Sequence, residues 1–317
     1  MKILIPEWWV DPLASQMRQI VPAVQIVSVD REGVTPGEEA GAEALLTHWR
    51  IDWGWTHRFV AESPTLRWIQ TSSAGLNHVL TPELIASDIV VTNASGVFDV
   101  PIAEMILAYM LTAVKRLGEF RQKQQAHKWH WLQLRELRGL TLGIVGMGAI
   151  GGELARLAGG LGMRVVAIRR HPDRTGSADQ VWPPDRLFDL LAESDFVAVT
   201  APLTEETRAL IDARAIARMK PDAWLINIGR GAIIDQAALV EALEAGRIGG
   251  ACLDVFAQEP LPEASPLWDM PNVIVTPHNS ASSHHIEQRQ QTLFLENLRR
   301  YAAEEPLLNV ADKRAGY

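Results

Sequence analysis

The chain has a single cysteine, Cys252, among 317 residues. That excludes an intrachain disulfide and any cysteine-rich metal site. Its position in an apolar run suits a buried filler better than a nucleophile. Long apolar runs are missing too: none reaches the roughly 18 residues that read as a transmembrane helix. Positive charge is not in excess. Lys and Arg number 30 against 38 Asp and Glu, a net charge of −8, so the broad basic face that binds nucleic-acid phosphates is not expected. There is no repeat of fixed period and no low-complexity tract. The opening residues, Lys2 to Ile5, already read as strand and lack the pattern of a secretory signal, which makes the cytoplasm the expected compartment. No metal site is expected either, since the pair His284-His285 lacks a third ligand.

What is present is an ordinary globular composition, 47% hydrophobic and 21% charged, in a chain long enough for two domains with separate cores. The most informative stretch is Leu142 to Arg170. An apolar run, Leu142 to Val145, meets Gly146, Gly148 and Gly151. Apolar residues at helical spacing follow (Ile150, Leu154, Leu157, Ala158, Leu161), and Gly162 stops them. Arg164 to Ile168 then read as a second strand, completing a βαβ unit. In this context the glycines form a dinucleotide-binding fingerprint. The first permits the tight turn, the second lets backbone approach a pyrophosphate, and the third lets helix pack on strand. The helix N-terminus, through Ala149 and Ile150, faces the phosphates. The competing reading is a glycine-rich turn without a ligand.

The end of the second strand distinguishes the two nicotinamide cofactors. A NAD site usually carries Asp or Glu there, roughly 20 residues on, for the ribose 2′-OH. Here stand Arg169 and Arg170. A guanidinium grips a 2′-phosphate with charge-assisted hydrogen bonds, whereas a carboxylate repels it. NADP(H) is therefore expected over NAD(H), the alternative being two solvated surface arginines.

Upstream, strands are expected at Lys2 to Ile5, Gln25 to Val29, Ala44 to Thr47, Trp68 to Thr71 and Ile89 to Thr92, alternating with helical signals in a small parallel α/β domain. Six tryptophans, Trp8, Trp9, Trp49, Trp53, Trp55 and Trp68, suit core or interface rather than chemistry. The small-residue loop Ser72 to Asn77 (SSAGLN) can present backbone N–H groups to an anion, or be a plain turn. From Pro101 to Phe120 the apolar spacing predicts one long helix, at a domain or subunit boundary. Arg121 to Lys128 read as a polar excursion before the glycine unit. Downstream, the apolar runs Phe196 to Thr200, Ala223 to Ile228, Gly250 to Val255 and Val273 to Thr276 suit parallel strands covered on both faces. A last helix, Ile286 to Tyr301, is placed to cross back to the first domain.

Ligands of open parallel sheets bind beyond the carboxyl ends of the strands. Arg230, Glu259 and His278 each follow one of these runs. Arginine can bind a carboxylate with two hydrogen bonds and polarise a neighbouring carbonyl. Histidine is the proton donor suited to neutral pH, and an acceptor on its other ring nitrogen, Glu259, fixes its orientation and favours the protonated form. Taken singly each residue has a plain structural reading. Together they describe hydride transfer to a 2-oxo acid.

These motifs resemble the D-isomer-specific 2-hydroxyacid dehydrogenase family. The matching pieces are GIVGMGAIG (143–151), APLTEET (201–207), INIGRGAIIDQAAL (226–239), ACLDVFAQEPLP (251–262) and NVIVTPHNSA (272–281), with SSAGLN, PIAE and PLLNV as weaker matches. The resemblance implies an α/β architecture of two Rossmann-like doubly wound domains. Residues 1–98 and 283–317 would form a split flavodoxin-like substrate domain, and 99–282 a central NAD(P)-binding domain over which it closes. It implies Arg230, Glu259 and His278 as the catalytic set, and Ala74 and Gly75 as N–H donors to the substrate carboxylate. Thr207 would lie near the pyrophosphate and Asp254 near the nicotinamide. It also implies a homodimer joined through the cofactor domains, with Trp129 or Trp131 reaching the partner's site as in glyoxylate and hydroxypyruvate reductases.

Three departures from the family pattern matter: Asn77 stands where many members have Asp, Ala281 replaces a common glycine, and Arg169 replaces the usual acid. Glu259, which fits the pattern, disfavours formate dehydrogenase. No appended regulatory domain like that of many phosphoglycerate dehydrogenases is expected. The function these features imply is NADPH-dependent reduction of a small 2-oxo acid, glyoxylate or hydroxypyruvate. A dehydrogenase for a bulkier 2-oxo acid and a corepressor-like dinucleotide sensor are the alternatives.

Overall fold

The computed structural model describes every residue except 36, 38, 77, 173–175 and 317; the departure at Asn77 therefore lies outside the described residues. The chain divides into two compact units, Met1–Phe98 with Ser283–Tyr317, and Asp99–Ser282. Through the first run β1 (Lys2–Pro6), α1 (Glu7–Ile20), β2 (Gln25–Val29), β3 (Ala44–Thr47), α2 (Trp53–Glu62), β4 (Trp68–Thr71), α3 (Pro82–Ala86) and β5 (Val90–Thr92). The second holds α4 (Asp99–Val114), α5 (Leu117–Gln125), β6 (Thr141–Val145), α6 (Ala149–Gly160), β7 (Arg164–Ile168), β8 (Gln180–Trp182), α7 (Leu187–Glu193), β9 (Phe196–Val199), α8 (Ala213–Ile216), β10 (Trp224–Asn227), α9 (Gln236–Glu244), β11 (Gly250–Leu253) and β12 (Val273–Val275). The last helix, α10 (Ile286–Ala302), belongs to the first unit.

In the first unit the strand order is β2-β1-β3-β4-β5, every pairing is parallel, and the order is the flavodoxin-like one. The sheet is buried on both faces by residues of alternating direction. Leu4, Leu45, Ile69 and Val91 enter one core, while Ile3, Ile5, Ala44, Leu46 and Trp68 enter the other. Helix α10 closes the second core because its buried residues Gln290, Phe294, Asn297 and Leu298 share one helical face. Phe294 and Tyr301 both stack on Trp68, with centroids 5.7 and 5.3 Å away. Two amides on that face complete the attachment. Gln290 Nε2 donates to Ser72 O at 2.6 Å and Asn297 Nδ2 to Gln70 Oε1 at 2.9 Å.

In the second unit the order is β12-β11-β10-β9-β6-β7-β8, again with parallel pairing throughout. The connection reverses direction between β6 and β9, which makes that crevice the topological switch point.

The sequence-based expectations need three corrections. The helix expected from Pro101 to Phe120 is two helices, α4 and α5, because Arg116 adopts a left-handed φ of 50°. Helix α5 takes in most of the polar stretch from Arg121. Strand β8, three residues on the sheet edge, carried too little apolar pattern to be read. Among the tryptophans, Trp9 and Trp68 are core, but Trp49 is 61% exposed with the Arg50 guanidinium 4.9 Å over its ring. No helix among the described residues is long and apolar enough to cross a membrane. Cys252 is buried, and burial pushes its thiol well above the usual range.

Beyond β3 lies His48, 1% exposed, its ring edge-on to Trp8 and Trp9 with centroids 5.4 and 5.3 Å away. Its Nδ1 accepts a hydrogen bond from Arg50 N. Burial, and secondarily the Arg50 charge, lowers its pKa from 6.5 to about 4. The native state thus keeps His48 neutral, while the unfolded chain takes up a proton near pH 6.5. The corresponding stability is complete above that pH and is lost as pH falls toward 4. Denaturant unfolding at pH 7 and pH 5 should show the wild type losing about 2 kcal/mol more than His48→Asn between the two. Equal losses would refute the assignment.

Candidate active site

The glycine turn after β6 has a separate reason for each glycine. Gly146 has φ 108°, and a Cβ there would lie 2.5 Å from Ala201 N in the loop after β9. A Cβ on Gly151 would lie 2.7 Å from Gly146 O, so this glycine allows α6 to sit against β6. Gly148 is different: a Cβ there would meet nothing within 4 Å. Its missing side chain leaves open surface at the start of α6, where the first-turn N–H groups of Ala149, Ile150 and Gly151 have no intrahelical acceptor. A negatively charged diphosphate suits such a cradle. The turn is tied to its surroundings by Gly146 N and Met147 N, both donating to Ile168 O at 3.1 Å, and by Thr200 Oγ1, donating to Gly146 O at 2.6 Å.

Arg169 and Arg170 follow directly on β7, beside this turn, and Arg169 N donates to Trp182 O. Across the crevice, Thr207 Oγ1 donates to Pro202 O at 2.7 Å and accepts from Thr204 N at 2.7 Å, which closes the 202–207 loop on itself. Glu206 in that loop is held below the usual carboxylate range, first by the Thr204 hydroxyl and more weakly by the Arg170 charge.

Arg230, Glu259 and His278 follow β10, β11 and β12 in turn. Asn227, the last residue of β10, is 1% exposed and braces the arginine loop. Its Oδ1 accepts from Gly229 N and its Nδ2 donates to Arg230 O, both at 3.1 Å. The Arg230 guanidinium donates to Gly229 O at 2.7 Å. Gly231 then lies so close to the loop after β11 that a Cβ would come within 1.9 Å of the Phe256 carbonyl carbon. That same loop carries Glu259, whose Oε1 accepts from Phe256 N at 3.0 Å. Its Oε2 meets His278 Nδ1 at 2.8 Å. Both side chains stay accessible, 37% for Glu259 and 48% for His278.

His278 has a left-handed φ of 51°, unusual for a residue with a Cβ. Its N–H donates to Asp254 O at 2.8 Å and Thr276 O at 3.1 Å, which holds it there. Asp254 itself is fully buried. Its carboxylate accepts from Thr276 Oγ1, Asn279 N and Ser280 N, so it is engaged in shaping the histidine loop. The sequence reading passed over Asn227 and this use of Asp254. The only signal for either was a polar residue ending an apolar strand.

In the first unit, Ala74 and Gly75 lie in the loop after β4. Ser73 Oγ pins that loop by donating to Gly75 O at 3.1 Å and pairing with Thr71 Oγ1 and His78 Nε2, each at 2.9 Å. Trp129 and Trp131 are exposed, in a segment without regular secondary structure.

A family model described as the D-isomer specific 2-hydroxyacid dehydrogenase, NAD binding domain, matches residues 107–280. A glyoxylate reductase of Korarchaeum cryptofilum is 38% identical over 74% of this chain and 73% of its own. Glyoxylate/hydroxypyruvate reductase B of Pectobacterium carotovorum is 38% identical over 76% of this chain and 77% of its own. Among solved structures, a D-isomer specific 2-hydroxyacid dehydrogenase from Xanthobacter autotrophicus Py2, in complex with NADPH and MES, superposes with TM-score 0.86 at 30% identity, over 100% of this chain and 99% of that one. An NADPH-dependent glyoxylate/hydroxypyruvate reductase from Sinorhizobium meliloti, in complex with NADP and sulfate, gives TM-score 0.83 at 27% identity, over 100% and 99%.

The contrast between two glycines can be tested directly. Gly231→Ala should destabilise the protein by about 1–3 kcal/mol, since backbone must move to admit the methyl group. Gly148→Ala, pointing into open space, should leave stability nearly unchanged. Denaturant unfolding of the two variants measures this, and equal losses would contradict the geometry.

Proposed function

The chain belongs to the D-isomer-specific 2-hydroxyacid dehydrogenase family, and on that premise we propose that it uses NADPH to reduce glyoxylate or hydroxypyruvate to the D-2-hydroxy acid. It is an NAD(P)-dependent oxidoreductase of small 2-oxo acids. The observation that carries the residue assignment is the 2.8 Å bond between His278 Nδ1 and Glu259 Oε2, on the strand rim that also bears Arg230.

When bound in the crevice beside the glycine turn, NADPH would supply a hydride for the substrate's carbonyl carbon. Arg230 pairs with the substrate carboxylate and draws electron density from the adjacent carbonyl. His278 donates the Nε2 proton to the carbonyl oxygen as negative charge develops there. Glu259 accepts from Nδ1–H, so the ring is held in the orientation that points Nε2 outward. In the reverse direction the same neutral ring takes the proton of the 2-hydroxyl. Ala74 and Gly75 are assigned the N–H groups that meet a substrate carboxylate.

The NADPH preference is supported by Arg169 and Arg170 where a NAD site has an acid, and by the NADPH and NADP bound in the two similar structures. Gly146, Gly148, Ala149, Ile150 and Gly151 would hold the diphosphate, with Thr207 and Asp254 shaping the crevice around the cofactor. The second unit is accordingly the NAD(P)-binding domain and the first the substrate-binding domain. We assign a homodimer joined through the second unit, with exposed Trp129 or Trp131 directed to the partner, working in the cytoplasm.

His278→Ala should lower kcat by about 10³-fold while leaving NADPH binding intact; near-normal turnover would refute its role as acid. Arg169→Ala should raise the KM for NADPH roughly tenfold and leave that for NADH unchanged. Steady-state assays with both cofactors over a panel of 2-oxo acids decide the preference, and equal or better use of NADH by the wild type would overturn it.

A further inference from the structure

The histidine loop is anchored from a place far from it in sequence. Tyr109, in the middle of α4, is 3% exposed, yet its hydroxyl is hydrogen-bonded to Thr276 Oγ1. Thr276 Oγ1 in turn donates to Asp254 Oδ1 at 2.5 Å. A threonine hydroxyl has one proton. Since that proton goes to the carboxylate, the Tyr109 hydroxyl is the donor to Thr276. The direction of the chain is therefore fixed: Tyr109 O–H to Thr276 Oγ1, Thr276 O–H to Asp254.

Asp254 converts this chain into the shape of the histidine loop. Its Oδ1 also accepts from Asn279 N at 2.8 Å and its Oδ2 from Ser280 N at 2.9 Å. Its main-chain oxygen accepts from His278 N at 2.8 Å. The residues on both sides of the ring-bearing position are thus held by one buried carboxylate, and His278 sits between them at its left-handed φ of 51°. A backbone in that region relaxes unless its surroundings hold it. A rotation there would carry Nδ1 away from Glu259.

We propose that Tyr109 is a positioning residue for the reaction: through Thr276 and Asp254 it fixes the backbone that aims His278 at the substrate. This rests on the assignment of His278 as the proton donor. Tyr109 touches neither substrate nor cofactor in this role. Burial pushes its phenol up to about 12, so it keeps its proton, and its donor function, across the working pH range. A tyrosine in an otherwise apolar helix face would be replaceable by phenylalanine if only packing mattered. Here the hydroxyl is required as well.

The test compares Tyr109→Phe, Thr276→Ser, Thr276→Val and the double variant Tyr109→Phe/Thr276→Val, each as the full chain. The measurements are kcat, KM for glyoxylate, the Kd for NADPH from fluorescence, and the thermal midpoint. Tyr109→Phe and Thr276→Val should each lower kcat between about threefold and tenfold, the range that one ordinary hydrogen bond supports, with the Kd for NADPH changed less than about twofold. Thr276→Ser, which keeps the hydroxyl, should restore near-wild-type kcat. The double variant should be no worse than Thr276→Val, because either change breaks the same chain. Unchanged kcat in Tyr109→Phe, with or without a lower midpoint, would overturn the proposal, as would additive losses in the double variant or a Thr276→Ser variant as slow as Thr276→Val. If Thr276→Val does not fold, the kcat of Tyr109→Phe alone decides. Failure of the underlying assignment is separate, since it would show as turnover by His278→Ala.

Discussion

The parallel ladder of β10, β11 and β12 is the constraint on which the site depends. In its register Asn227 pairs with Leu253 and Leu253 with Val275, so the last residues of the three strands stand side by side. Parallel strands all deliver their carboxyl ends to one rim. Three groups distant in sequence, a guanidinium, a carboxylate and an imidazole, leave the sheet there on adjacent loops. An antiparallel arrangement would have sent the middle one to the opposite edge.

Adjacency at the rim is refined by contacts that depend on very small or very buried groups. Gly231 lets two loops approach closer than any side chain permits. Asn227 satisfies a donor and an acceptor of the arginine loop from inside the sheet. Asp254, without exposed surface, spends its carboxylate on the backbone of the histidine loop. None of these needs to meet a substrate. Each makes the groups assigned to that task stand still, which matters because a misplaced donor or acceptor loses most of its electrostatic benefit in the transition state. The accessible pair Glu259–His278 is therefore supported from below by the buried side chains of Asn227 and Asp254.

The first unit follows the same logic with a different closure. Its five-stranded sheet needs a cover on the face carrying Ile3, Ile5 and Trp68; α1 supplies part of it through Trp9, Leu13 and Met17, and α10 completes it last. The amides of Gln290 and Asn297 take up backbone and side-chain groups at the end of β4, so the C-terminal helix also steadies the start of the loop bearing Ala74 and Gly75. His48, clasped edge-on by two tryptophans, belongs to the same buried rim, where a charge would have no compensation.

Much of this was legible in the sequence because the signals are local. Apolar runs of four or five residues marked most strands within a residue or two, since a parallel strand covered on both faces is built mainly from apolar side chains. The fingerprint from Gly146 to Gly151 and the placing of Arg230, Glu259 and His278 just after such runs could be read for the same reason. What the sequence could not determine depended on partners distant along the chain. The break at Arg116, the edge strand β8, the close approach of Gly231 to Phe256 and the line from Tyr109 through Thr276 to Asp254 carry no periodicity or motif. A tyrosine on an apolar helix face looks the same whether its hydroxyl is idle or bonded, and only folding brings to it an acceptor 167 residues away. Local pattern fixes which residues stand at the rim; tertiary contact decides which of them are held there and by what.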